Sequence, residues 1–244
     1  MLFFLYLKEI RFRIFYCFVS LVYSWFICFF FIEELTYLFI RPLQLISSQI
    51  NEKVSHFIFT NLGDAFFSFF NFALFLGLLM SLYFFIFQFF CYIVPSLFLY
   101  EKNILMFLIL FSLLALIISL HFWYSILLPT LCNFFLSFEL VDADLPFEIL
   151  FEGKIDEYFL LVTKSLSGLI MVFQFPILLF SFIILDFFNI SFLVEYRKII
   201  YFIFVFISAL VTPPDVISQL FFILPFILFY EFVILSIFFF NEYY

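Results

Sequence analysis

Two histidines, His56 and His121, and four cysteines, Cys17, Cys28, Cys91 and Cys132, are the side chains best suited to bind a metal or attack a substrate. A metal centre needs such residues clustered, as in C-x-x-C or H-x-x-x-H, and none of the six has that spacing. A membrane haem of the cytochrome b type needs paired histidines within helices, and only His121 lies in an apolar run. The thiols, mostly within or beside apolar runs, read as small buried hydrophobes. Neither H-E-x-x-H nor G-x-S-x-G occurs, so no metal, cofactor or enzyme activity is expected. What remains is ion-pair chemistry. Glu9 stands among Lys8, Arg11 and Arg13, and Glu101 stands beside Lys102. A carboxylate can receive a guanidinium fork through two charge-assisted bonds, which lysine cannot reproduce. The plainer reading is that Glu9 tempers a basic membrane-anchoring collar and that Glu101 is a solvated turn residue.

The elements that carry these groups must lie in a membrane. Hydrophobic residues make up 68% of the chain, mean hydropathy is +1.30 and charged residues are 11%, less than half the share usual for soluble domains. The apolar runs are too long, and too free of polar alternation, for membrane β-strands, so an all-α integral membrane protein is expected. The 51 phenylalanines, against five alanines, follow A/T-rich codons. That bias points to an organellar genome and a mitochondrial inner membrane, with a bacterial inner membrane or plastid thylakoid as alternatives. The first run is too long, and lacks the small-residue site, for a cleavable signal peptide.

Polar punctuation divides the chain, residues 1–244, into a single domain of six spans, at about 14–32, 66–94, 104–128, 158–185, 199–211 and 216–240, the last two short. The segment Glu33 to Asp64, with Pro42, reads as an outlying loop, and Pro95 to Asn103 as a turn. An even number of spans puts both termini on one side together with Lys8, Arg11, Arg13, Lys102, Arg197 and Lys198; the opposite side holds Arg41, Lys53 and Lys154. The positive-inside rule turns the termini towards the cytoplasm or matrix. Acids collect on the other side, which accounts for the net charge of −8 without a nucleic-acid partner.

"SALVTPPDVISQL", Ser208 to Leu220, breaks the final apolar stretch. Pro213 and Pro214 end the arm before them, and Thr212 with Asp215 forms a T-x-x-D capping pattern for the helix that follows. The thirteen-residue arm Ile199 to Val211 reaches only about 20 Å as a helix, short of a roughly 30 Å hydrocarbon core.

Here the residues carry a resemblance. "SALVTPPDVISQLFFILPFILFYE" resembles the signature near the end of TatC, the receptor subunit of the twin-arginine protein translocase. "LKEIRFRI", Leu7 to Ile14, resembles the family's N-terminal E-L-R-x-R segment, and "FQFFCYIVPSLFLYEKN", Phe87 to Asn103, its turn after the second span. Three motifs in order cover nearly the whole chain. The resemblance implies a receptor for signal peptides with consecutive arginines, which recruits TatA-type and possibly TatB-type subunits and moves folded cargo with the protonmotive force, in a complex holding several copies of itself. It assigns signal binding to Glu9 and Glu101. Arg11 and Arg13 would orient the N-terminal segment or anchor it at the lipid interface. Pro42, Gln88 and Pro95 match family positions whose simpler roles are loop shaping, helix packing and helix termination. Gln174 stands where the family commonly has a glutamate; it and Glu231 are candidates for polar contact with a partner helix, and satisfaction of Gln174 within the bundle is its rival reading. A secondary transporter or proton-conducting subunit is the alternative function, and it would need titratable residues through the spans. No span centre holds an arginine, aspartate or glutamate.

Overall fold

The computed structural model describes residues 2–50, 57–61, 63–93, 95, 98–139, 152–184, 190–212 and 216–242. Nine α-helices occur among them: α1 (Leu2–Phe30), α2 (Ile32–Ile50), α3 (Asp64–Ile93), α4 (Leu99–Phe122), α5 (Leu128–Leu136), α6 (Ile155–Ile184), α7 (Ile190–Glu195), α8 (Arg197–Val211) and α9 (Val216–Glu242). Among the described residues, α1, α3, α4 continued by α5, α6 and α9 hold five stretches long and apolar enough to cross a membrane. α8 is the sixth expected span and, at 15 residues, reaches about 22 Å. The expectation of a short final helix does not hold: α9 has 27 residues, about 40 Å. Pro225 lies inside it, and a proline is tolerated where neighbouring helices satisfy the freed backbone group.

Two departures from the sequence expectation have clear causes. The supposed outlying loop is in part the helix α2, which keeps Pro42 in its interior. Thr36, Phe39, Leu43 and Ser47 recur every three or four residues and form its buried face, while Glu34, Tyr37, Leu38 and Arg41 stay exposed. Proline removes one helical hydrogen bond and crowds the carbonyl four residues back, loosening the ladder there. One turn earlier the Phe39 carbonyl accepts a 2.7 Å bond from the Tyr158 hydroxyl. The third span also runs on past residue 128. Its helix widens into a π turn at Trp123–Leu127, where the Leu128 N–H reaches the Trp123 carbonyl. The proline next in line, Pro129, has no N–H to give, and the wider turn makes room for its ring.

The chain falls into two compact units. The first comprises Met1–Arg41, His56–Leu110 and Gly153–Phe159. In it α1 and α3 pack antiparallel: Trp25 lies against Gly77, and Arg13 meets Gln88 and Cys91. The Ser24 hydroxyl donates to the Gly77 carbonyl at 2.8 Å, a polar contact made possible by a residue without a side chain. Phe72 stacks on Phe159 with ring centres 4.6 Å apart, and Phe39 meets Phe72 edge-on. At the start of α3 the Asp64 carboxylate accepts bonds from the Asn61 N–H and the Thr60 hydroxyl, an acid at the positive end of a helix. The second unit comprises Pro42–Ser55, Phe111–Glu152 and Leu160–Tyr244. Its buried centre includes Trp123, Leu127, Leu131, Leu166, Leu169, Phe204, Phe222 and Tyr230. The Trp123 indole N–H donates to the Ser165 hydroxyl at 3.0 Å, and Phe204 stacks on Phe226 at 4.6 Å.

Candidate functional site

Antiparallel packing of α1 on α3 brings the N-terminal turns of one helix beside the C-terminal turns of the other. Glu9 and Arg13 are four residues apart, so they share a face of α1. The Arg13 guanidinium places Nε 3.0 Å and Nη2 2.5 Å from the same oxygen of Glu9, Oε1. Its Nη1 donates to Gln88 Oε1 at 3.2 Å, and Nη2 also donates to the Cys91 carbonyl at 3.2 Å. Cys91 sits in the last turn of α3, where carbonyls lack helical partners and the helix end carries partial negative charge. Arg13 therefore closes the end of α3 and anchors Glu9 to it. The Arg13 side chain is 24% exposed and that of Glu9 40%. Among the described residues no group meets the second oxygen of Glu9, Oε2.

The residues named from the sequence separate here. Glu9, Arg13 and Gln88 come together. Gln88, expected to serve helix packing, is specifically an acceptor for Arg13. Arg11 points elsewhere, exposed, with its guanidinium carbon 5.4 Å from the centre of the Phe12 ring. Pro95 is exposed just beyond the end of α3. Glu101 is the third residue of α4, near a helix N-terminus that suits a carboxylate; its side chain lies outside the described part of the structure. Thr212 is extended, buried, and donates its hydroxyl to the Ser208 carbonyl at 2.9 Å, so its described bond serves the end of α8. Pro213, Pro214 and Asp215, the rest of the expected cap, lie outside the described residues, as does His56.

The two residues considered for partner contact both have partners within the chain. Gln174 Nε2 on α6 donates to the Ser112 carbonyl on α4 at 3.0 Å. Glu231 on α9 accepts from the Tyr201 hydroxyl and lies 3.4 Å from Arg197 Nη2, both on α8. The hydroxyl of the preceding residue, Tyr230, donates to the Leu193 carbonyl of α7 at 2.7 Å. This second cluster, Arg197, Tyr201 and Glu231, was not legible from the sequence as a unit; the i, i+4 spacing of Arg197 and Tyr201 is its only local signal. Replacing Gln174 by leucine is expected to cost about 1 kcal/mol, the usual net worth of one interhelical bond. Reversible unfolding in dodecyl sulfate–detergent mixtures measures it.

The chain matches a family model described as Sec-independent protein translocase protein (TatC) over residues 5–225. It is 32% identical over 225 residues to an uncharacterized tatC-like protein, ymf16, of Reclinomonas americana, covering 92% of this chain and 83% of that one. To the Sec-independent protein translocase protein TatC of Rickettsia prowazekii (strain Madrid E) it is 29% identical over 225 residues, covering 92% and 88%. A crystal structure of the twin-arginine translocase receptor TatC, in the detergent DDM, superposes with a TM-score of 0.75 at 24% identity, covering 95% of this chain and 98% of that chain.

Proposed function

This chain belongs to the TatC family, and on that premise we propose that it is the receptor for twin-arginine signal peptides and the core subunit of a translocase that moves folded proteins, driven by the protonmotive force. The observation that carries this reading is Glu9: a half-exposed carboxylate held to the end of α3 through Arg13, with Oε2 turned to no other described group. A guanidinium can use that oxygen, at roughly 1.5–3 kcal/mol for a bond to a charged group. Glu101, at the start of α4, supplies the second carboxylate, so that two acids face two arginines. The termini and this site face the cytoplasm or matrix, by the distribution of lysine and arginine. The membrane is a mitochondrial inner membrane, by the codon bias behind the phenylalanine content. TatA-type and TatB-type subunits and further copies of this chain complete the complex, against lipid-facing surfaces rich in exposed phenylalanine and leucine. A secondary transporter or proton-conducting subunit has no chain of titratable groups to work with: Gln174 is an amide, and Glu231 is engaged by Arg197 and Tyr201.

Photocrosslinking of a twin-arginine signal peptide to membranes containing the protein tests the receptor role. Contacts are expected near Glu9 and Glu101, and they should vanish when Glu101 is changed to lysine or when the peptide arginines become lysines. Equal crosslinking under all three conditions overturns the assignment.

A further inference from the structure

Arg13 already does to Glu9 what an incoming arginine would do. Two of its nitrogens bond Oε1 of the carboxylate, at 3.0 and 2.5 Å. A guanidinium that is to grip Glu9 with its full fork needs both oxygens, and one of them is occupied. We propose that Arg13 is a resident occupant of the Glu9 carboxylate, and that a signal-peptide arginine binds by exchange, displacing Arg13 from Oε1. This rests on the receptor reading above and adds a regulatory contact to it.

Three features of the geometry make exchange feasible rather than prohibitive. Arg13 is held by Gln88 Oε1 and the Cys91 carbonyl, each at 3.2 Å, as well as by Glu9, so leaving the carboxylate does not strand a half-buried charge without acceptors. The end of α3 offers partial negative charge to a cation that stays there. Glu9 is the more exposed member of the pair, 40% against 24%, so the carboxylate is the side an external ligand can reach. The contact also discriminates. A lysine ammonium is a compact, strongly hydrated point charge that cannot reproduce the fork Arg13 holds, so it displaces a resident arginine poorly. Selection for arginine over lysine then arises partly from the competition itself. Because Arg13 keeps Gln88 and the Cys91 carbonyl on release, its tie between α1 and α3 persists through the exchange.

The test is the affinity of the full-length protein in lipid nanodiscs for a fluorescent twin-arginine peptide and for its twin-lysine counterpart, measured by anisotropy. Arg13→Gln is expected to tighten twin-arginine binding by about tenfold and to narrow the arginine-over-lysine ratio, since the competitor is gone. Arg13→Lys should lie between it and the unaltered protein. Gln88→Leu, which removes one of the acceptors Arg13 retains on release, should weaken binding several-fold. Thermal unfolding of each variant identifies any loss of fold, and Arg13→Lys with Gln88→Leu decides the matter if Arg13→Gln does not fold. Unchanged or weaker binding in the Arg13 variants, or unchanged binding in Gln88→Leu, overturns the exchange and makes Arg13 a fixed support for Glu9. The receptor reading fails separately, by absence of any preference for twin-arginine over twin-lysine peptide in the unaltered protein.

Discussion

Gly168→Ala is expected to destabilise the protein, against the ordinary preference of helices for alanine. In an open helix that exchange gains about 1 kcal/mol. At Gly168 a Cβ would stand 2.3 Å from Val211 Cγ1 and 3.1 Å from Val211 Cγ2, with Phe222 Cε1 at 3.2 Å. Valine is stiff about χ1 and Phe222 is buried, so neither can step aside cheaply. Overpacking of this kind costs roughly 1–3 kcal/mol and should reverse the helical gain; Gly168→Leu should lose more than ~3 kcal/mol or fail to fold. Because the obstacle is a side chain, Val211→Ala should restore much of the stability of Gly168→Ala. Unfolding in dodecyl sulfate mixtures, run on the two single variants and the double variant, measures the coupling. Additive effects would mean that α6 does not press on the end of α8 as described.

Gly77→Ala should be comparably damaging and beyond rescue of that sort. The added Cβ would meet main-chain atoms, Trp25 Cα at 2.8 Å and Trp25 N at 2.9 Å. Only movement of α1 away from α3 relieves that, at a cost of about 1–3 kcal/mol. Trp25→Ala, which leaves the same backbone in place, should not restore stability. A functional consequence follows along the same helix pair: moving α1 draws Arg13 away from Gln88 and the Cys91 carbonyl, so the twin-arginine peptide should bind less tightly to Gly77→Ala. Stability equal to that of the unaltered protein, with normal peptide affinity, would show that the close approach is not needed.

Much of the fold was readable because lipid imposes a coarse rule: apolar runs long enough to span must be helices. Among the described residues, α1, α3, α4 with α5, α6 and α9 carry the long apolar stretches, and α8 is the short helix before α9. The misreadings occurred where that rule is silent. α2 looks like a loop because Pro42 and its polar residues suggest punctuation, yet its buried residues, Thr36 and Ser47 among them, keep a helical period on one face. The continuation through Trp123–Leu127 to Leu136 depends on a π turn that absorbs Pro129, and composition does not signal such a turn. Among the site residues, Glu9 and Arg13 were legible only as near neighbours in the sequence. Gln88 and Cys91 were not legible as their partners, because they are more than seventy residues away in the chain.

The sequence by itself determined the environment, the helical class, the family motifs and the candidate carboxylates, because hydropathy and short motifs are local properties. Only the tertiary structure decided which of those polar groups are already engaged. Arg13 is committed to Glu9, Gln88 and Cys91, Gln174 to Ser112, and Glu231 to Tyr201 and Arg197. In a low-dielectric surrounding a polar group is costly unless paired, and the partner that satisfies it is chosen by how helices meet. Helix pairing brings together residues far apart in sequence, so a reading of residue types alone could name Glu9 as a candidate but could not tell that the arginine beside it is itself held by Gln88 and the Cys91 carbonyl.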